Sequence, residues 1–181
     1  MTTIILFSLT PIVFWTNALA WVKKHFIKKT TIKEKEHILN EVRVSLKELA
    51  NNKKGATIII DVQQETNNYI VDSTELDSIV SAELITNIFE GTKTPLHDGA
   101  VVISGNRISK AAAYITKLSD KKLPKKYGTR HRSAIGIAEA TNVISIVLSE
   151  ETGAITVSHH GEWNTVSQND LTEYVLNIWN K

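Results

Sequence analysis

Three short stretches of this 181-residue chain carry side chains able to act on a charged substrate. In the first, Pro95-Leu96-His97-Asp98-Gly99-Ala100, an imidazole and a carboxylate stand side by side just ahead of an apolar run. Gly99 admits a ligand or another backbone at close range; equally, Asp98-Gly99 is an ordinary turn dipeptide. The second, Gly128-Thr129-Arg130-His131-Arg132, stands where a helix is predicted to begin. Helix N-termini bind anions through free backbone N–H groups and the helix dipole, and two arginines add bidentate phosphate donors. Thr129 can cap that helix, although a basic cluster taken alone is also what a solvated face looks like. The third, Leu148-Ser149-Glu150-Glu151-Thr152-Gly153, closes a predicted strand, a usual place for ligand contacts in open sheets and also a usual place for a polar turn. The chain has no cysteine, so any metal must be held by oxygen and imidazole donors, which points to magnesium-like or manganese-like chemistry.

Elements able to position these stretches can be read from periodicity. Leu39, Val42, Leu46 and Leu49 recur at steps of three and four between Lys33 and Asn52, the stripe of an amphipathic helix. Ile32 prolongs the stripe toward a short coiled coil, with Lys35 at what would be a core position; the commoner use of such a helix is to cover a sheet. Ala56 to Val62 is a short β-branched run that reads as a buried strand. Ser81 to Phe89 reads as a helix capped by Ser81. Ala100 to Ile103 and Arg107 to Ile115 read as strands joined at Gly105-Asn106. Thr129 to Thr141 is predicted helical, Val143 to Leu148 and Ala154 to Ser158 are predicted strands across a turn at Gly153, and Gln168 to Trp179 is a last helix. The expected fold is α/β (α+β): a mixed central β-sheet flanked by helices, preceded by one N-terminal transmembrane helix.

That helix is expected over residues 1–22, where no charged side chain occurs from Thr2 to Val22. About 20 apolar residues suffice to span the hydrocarbon core. Trp15 and Trp21 suit the interface, and Lys23, Lys24, His25, Lys28 and Lys29 in the basic linker 23–33 place the remainder in the cytoplasm by the positive-inside rule. A cleaved signal peptide using Ala18-Leu19-Ala20 is the competing reading, but the lysines follow the apolar run instead of preceding it. Residues 34–181 are then expected to form one domain at a cell membrane, with a single catalytic unit as the working assumption. A net charge of +2, from 21 basic and 19 acidic residues, is no polycation, and no nucleic-acid partner is expected. No Gly-x-x-x-x-Gly-Lys-Ser/Thr pattern occurs, which excludes a conventional P-loop.

Taken together, the three stretches resemble the diadenylate cyclase family, whose hallmarks are an Asp-Gly-Ala and an Arg-His-Arg motif about 30 residues apart. Both are present, as Asp98-Gly99-Ala100 and Arg130-His131-Arg132, and the likeness extends through Ser81-Ala82-Glu83-Leu84, Gly128-Thr129 and Ser149-Glu150-Glu151-Thr152-Gly153. A single helix ahead of the domain resembles the one-span class of that family. Ile115-Thr116-Lys117-Leu118 departs from a more apolar, proline-containing family segment, and Ser133 and Ala138 stand where alanine and serine are more usual.

The resemblance implies one ATP per subunit and a homodimer, in which each 3′-hydroxyl attacks the other nucleotide's α-phosphate. The metal implied is manganese or magnesium, with cobalt as a third option. By motif position Asp98 assists the 3′-hydroxyl or its metal, and His97 is a second candidate metal ligand. Gly99 and Ala100 let the nucleotide lie against backbone; Thr129, Arg130, His131 and Arg132, with Gly128, match the triphosphate-contacting stretch. Ser149 and Glu150 match positions near the phosphates and ribose. Tyr114 lies where the family offers an aromatic face to adenine, or else serves as a core tyrosine. Lys121, Lys122, Lys125 and Lys126 read as a solvated loop, and His159 and His160 as surface residues. A regulatory protein partner is unspecified. The runner-up reading is a catalytically inactive module that binds ATP or cyclic di-AMP as a sensor, although the main motif residues are all in place.

Overall fold

A computed structural model describes residues 30–91 and 94–180. The expected membrane span over 1–22 and the start of the linker lie outside them. Among the described residues no helix is long and apolar enough to cross a membrane.

Helix α1 (Ile32–Asn51) begins at a reciprocal cap: Thr31 Oγ1 accepts from Glu34 N at 3.3 Å, and Glu34 Oε2 accepts from Thr31 N at 2.7 Å. Its stripe of Leu39, Val42, Leu46 and Leu49 is wholly buried. Ile32 is exposed, and Lys35 is buried with Nζ donating to Trp179 O (3.1 Å) and Asn180 Oδ1 (2.7 Å). The helix therefore covers a sheet and is tied to the chain's last helix, the outcome that a lysine in the heptad seam already favoured.

Strand β1 (Ala56–Asp61) is buried throughout. It is followed by β2 (Ile70–Ile79), helix α2 (Ala82–Glu90), β3 (Ala100–Ser104), β4 (Arg107–Ile115), helix α3 (Thr129–Ala140), β5 (Ile144–Leu148), β6 (Ile155–His159), β7 (Glu162–Val166) and helix α4 (Leu171–Trp179). Ser81 caps α2 as expected, accepting from Leu84 N at 3.2 Å. The strands form one sheet of seven in the order β2-β4-β3-β1-β5-β6-β7. Only β1 and β3 run parallel; the other pairings are antiparallel. Alternate residues of β1 divide between two cores: Ile58 and Ile60 face α1, α2 and α4, while Ile59 packs with Ile137 and Ala138 of α3.

Two strands had no counterpart in the sequence reading. β2 and β7 are the sheet's edges, where the outer side of the strand has no neighbour, so their sequences are mixed and largely solvated instead of continuously apolar.

Helix α3 lies unusually close to the segment after β4. A Cβ at Gly136 would stand 2.5 Å from Leu118 C and 2.6 Å from both Lys117 O and Ser119 N, and Ser119 N donates to Arg132 O at 2.9 Å. Alanine would gain about 1 kcal/mol in helix propensity, but overpacking against backbone costs about 1–3 kcal/mol. Gly136→Ala is therefore expected to lower the urea unfolding free energy; a rise of about 1 kcal/mol would show that the two segments are not in contact.

Candidate active site

Strand pairing alone brings the three stretches to one end of the sheet. Ala56 pairs with Leu148, so the start of β1 adjoins the end of β5 and Ser149-Glu150. Because β3 runs parallel to β1, its start, with Asp98 just before it, lies at that same end. Antiparallel β4 brings its own end there, through Ala100 opposite Ala113. Helix α3 lies over this face and begins with Gly128 as its N-cap. The result is one cleft of about 880 Å³ whose lining includes Asp98, Gly99, Ala100, Tyr114, Gly128, Thr129, Arg130, His131, Ser149 and Glu150.

Most of the expected residues thus share one cavity, and two do not line it. His97 ends a short 3₁₀ turn, Pro95–His97, with Nδ1 2.8 Å from Thr94 O. Arg132 is exposed and also lies off the lining. The cap of α3 differs from expectation as well: Gly128 occupies it, Thr129 is the first helical residue, and no side chain caps the turn. The first intrahelical bond, Arg132 N to Gly128 O at 3.1 Å, leaves the preceding N–H groups for an anion.

Gly99 owes its identity to backbone, not to open space for a ligand. It has φ +151°, and a Cβ would stand 2.5 Å from Ala112 C. Ala112, at φ +50°, is the extra residue of a bulge that pushes β4 toward Gly99. Gly55 has a comparable part in front of the cationic group, since a Cβ there would lie 2.9 Å from Arg130 Nη1.

Arg130 Nη1 donates to Glu150 Oε2 at 3.0 Å. Both side chains are about half exposed, 42% and 56%, so the pair contributes at most about 1 kcal/mol and leaves the guanidinium free to turn to a phosphate. Tyr114, 61% exposed, offers its ring to the cleft and is not a core tyrosine. His131 is buried and stacked on Tyr127, with centroids 4.2 Å apart and planes 11° apart. Burial, and secondarily the charge of Lys126, hold its pKa below the ordinary imidazole value.

Several lining residues escaped the sequence reading, three polar ones among them. Lys126 lines the cleft, whereas its neighbour Lys121 donates to Gly161 O; a run of lysines carries no mark of which one turns inward. Lys53 and Thr57 also line it. Both lie within or beside a stretch whose hydropathy announces only a strand. The rings of His159 and His160 lie 3.9 Å apart between centroids, tilted by 53°, and neither residue lines the cleft.

An uncapped helix start, half-exposed cations and an aromatic face in one cavity have the chemistry of a nucleotide site in an α/β domain. The family described as DisA bacterial checkpoint controller nucleotide-binding, DAC, matches residues 43–163, and the chain belongs to it. The chain is similar to a diadenylate cyclase of Listeria monocytogenes, 39% identical over 145 residues that cover 80% of this chain and 53% of that protein. It spans about half the length of such curated relatives. Its fold matches the crystal structure of DacA from Staphylococcus aureus with a TM-score of 0.74 at 34% identity, over 82% of this chain and 99% of that one. A hypothetical membrane spanning protein from Bacillus cereus matches with a TM-score of 0.66 at 32% identity, over 71% and 62% of the two chains.

The buried His131 yields a pH test. The unfolded chain takes up this proton near pH 6.5, and the folded chain only at lower pH. The stability contributed by the neutral ring is therefore complete above the unfolded value and is lost as the pH falls through and below it toward the folded value. Between pH 7 and pH 5 the wild type should lose more unfolding free energy than His131→Phe; equal losses by urea titration would show the ring to be freely protonated in the fold.

Proposed function

We propose that this chain is a diadenylate cyclase, which condenses two ATP into cyclic di-AMP with release of two pyrophosphates. The observation that carries the proposal is that Asp98 and Arg130, 32 residues apart in sequence, line a single cleft with Tyr114 beside them. Two relatives more than 30% identical bear that activity as their names, from Listeria monocytogenes and Mycoplasma genitalium.

One cleft of this size suits one ligand. Joining two nucleotides then needs two copies of the chain, with their clefts facing each other in a homodimer. Asp98, exposed just before β3 and lining the cleft, would meet a group arriving from the partner. In each half-reaction the 3′-hydroxyl oxygen of one nucleotide forms a bond to the α-phosphorus of the other. The bond between that phosphorus and the oxygen bridging to the β-phosphate breaks, pyrophosphate leaves with the electron pair, and the hydroxyl proton passes to Asp98 or to water. Repeated once, this closes the ring.

The protein's part is chiefly positioning and charge neutralisation. Arg130, Lys53, Lys126 and the uncapped start of α3 hold the triphosphate, Tyr114 stacks on adenine at about 1–3 kcal/mol, and Ser149 and Glu150 border the phosphates. Among the described residues there is no group of three or more His, Cys, Asp or Glu arranged to hold a metal ion. One carboxylate facing a bound triphosphate nevertheless suits magnesium or manganese, which take one or two protein carboxylates and fill their shell with phosphate oxygens and water. Asp98 would hold such an ion, which when bound would neutralise charge on the transferring phosphoryl group; His97, the residue before it, lies off the lining with Nδ1 2.8 Å from Thr94 O. Residues 1–22 would anchor the chain in a cell membrane with the domain in the cytoplasm. The charge-free apolar run and the lysines after it support this reading.

Incubating the chain with ATP and magnesium, manganese or cobalt, and analysing the products by mass spectrometry, tests the proposal. Cyclic di-AMP is the expected product; bound ATP without product under every metal would favour the sensor reading. Asp98→Asn should lower turnover by about 10²–10⁴-fold with the ATP dissociation constant little changed. Arg130→Ala should instead weaken ATP binding by about 10-fold or more, the loss of one charge-assisted hydrogen bond.

A further inference from the structure

Across the floor of the cleft the sheet presents a row of small side chains from four adjacent strands. Ala113 pairs with Ala100, the parallel register of Ile58 with Val101 sets Thr57 beside Ala100, and Thr57 faces Val147. All four residues line the cavity. Three of them are apolar. The fourth, Thr57, is 3% exposed, and its Oγ1 is the one buried side-chain polar atom among the described residues with no hydrogen-bond partner. Buried polar groups are nearly always paired. Valine has the same shape, suits a strand interior and would bring no unmet hydroxyl to this place. A hydroxyl here makes physical sense if something that enters the cleft satisfies it.

Its place along β1 says which part of a ligand that would be. Gly55 and Thr57 are two residues apart, so they share a face of the sheet, and Gly55 lies under Arg130 and Glu150. Thr57 is therefore about 7 Å further along the strand from the phosphate donors. A triphosphate gripped by Arg130 and the start of α3 would bring its nucleoside, not its phosphates, over the Thr57 hydroxyl.

We propose that Thr57 Oγ1 is a binding contact for the nucleoside part of the bound nucleotide, exchanging a hydrogen bond with a ribose hydroxyl or a base nitrogen at the cleft floor. The proposal rests on the nucleotide-binding reading above. It makes Thr57 a residue that costs the empty protein stability and returns it as affinity, a combination that a purely structural threonine would not show.

The test measures the full chain and its Thr57→Val, Thr57→Ala and Thr57→Ser variants by calorimetric titration with ATP and, separately, with inorganic tripolyphosphate, both with magnesium. Thr57→Val should melt at the same or a higher temperature than wild type without ligand, yet bind ATP about 3- to 10-fold more weakly. Thr57→Ala should share the loss of affinity, which keeps the test open if either variant folds poorly, and Thr57→Ser should restore wild-type affinity. Tripolyphosphate, which has no nucleoside, should bind all four proteins alike. Valine and alanine variants that bind ATP as tightly as wild type would overturn the proposal, and so would a matching loss of tripolyphosphate affinity. A wild-type chain that binds no ATP at all would overturn the nucleotide reading itself, a result distinct from either.

Discussion

Strand β1 is held between a parallel neighbour and an antiparallel one, and the site depends on that arrangement. Ile58 pairs with Val101 on one side and with Ile146 on the other, so the start of β3 and the end of β5 are forced to the same end of the sheet. Neither pairing can slip by one residue without turning the fully buried Ile58 and Ile60 toward the α3 face and Thr57 and Ile59 away from it. The register that fills the two cores is therefore also the register that sets Asp98 opposite Ser149 and Glu150.

Around this frame, space for a ligand is created by what is missing. The floor is built from alanine, threonine and valine where larger side chains would fill the cavity. Gly55 leaves room for Arg130 to cross the start of β1, and Gly99 leaves room for the bulge at Ala112. Gly136 does the same for the segment that walls the cleft beside α3. The charged groups, by contrast, are loosely held. Arg130 and Glu150 form a half-exposed pair of modest strength, which an incoming anion could displace at little cost. A buried, mostly apolar floor beneath half-exposed cations suits the reaction proposed for this cleft.

The elements best read from sequence were those whose burial is one-sided or complete. The stripe of α1 and the continuous apolar runs of β1 and β5 are patterns that the core imposes directly on residue type. β2 and β7 left no such trace because an edge strand is held by backbone hydrogen bonds to one neighbour, and backbone groups do not vary with sequence. The site divides in the same way. Asp98, Arg130, Ser149 and Glu150 were legible because their motifs stand at element boundaries; Tyr114, inside β4, came only with the family resemblance, which left a core tyrosine as the alternative. Lys126 could not be told from Lys121, Lys122 and Lys125, since the direction of a loop lysine is set by the loop's path. Thr57 was hidden inside a strand, where a threonine is an ordinary β-branched residue until its neighbours are known to leave its hydroxyl unpaired.

By itself, then, the sequence determined which side chains were available for phosphate chemistry, which segments would be helix or buried strand, and the family to which their order belongs. Those properties are local: they depend on residue type and on spacings of a few positions, which the backbone's own periodicities convert into faces and ends. Only the tertiary structure decided that residues 98, 114, 130 and 149 share one cleft, that His97 and Arg132 lie off its lining, and that Gly128 instead of Thr129 begins α3. Those outcomes turn on pairings between strands far apart in the chain, and the choice among such pairings is made by the packing of the whole core at once.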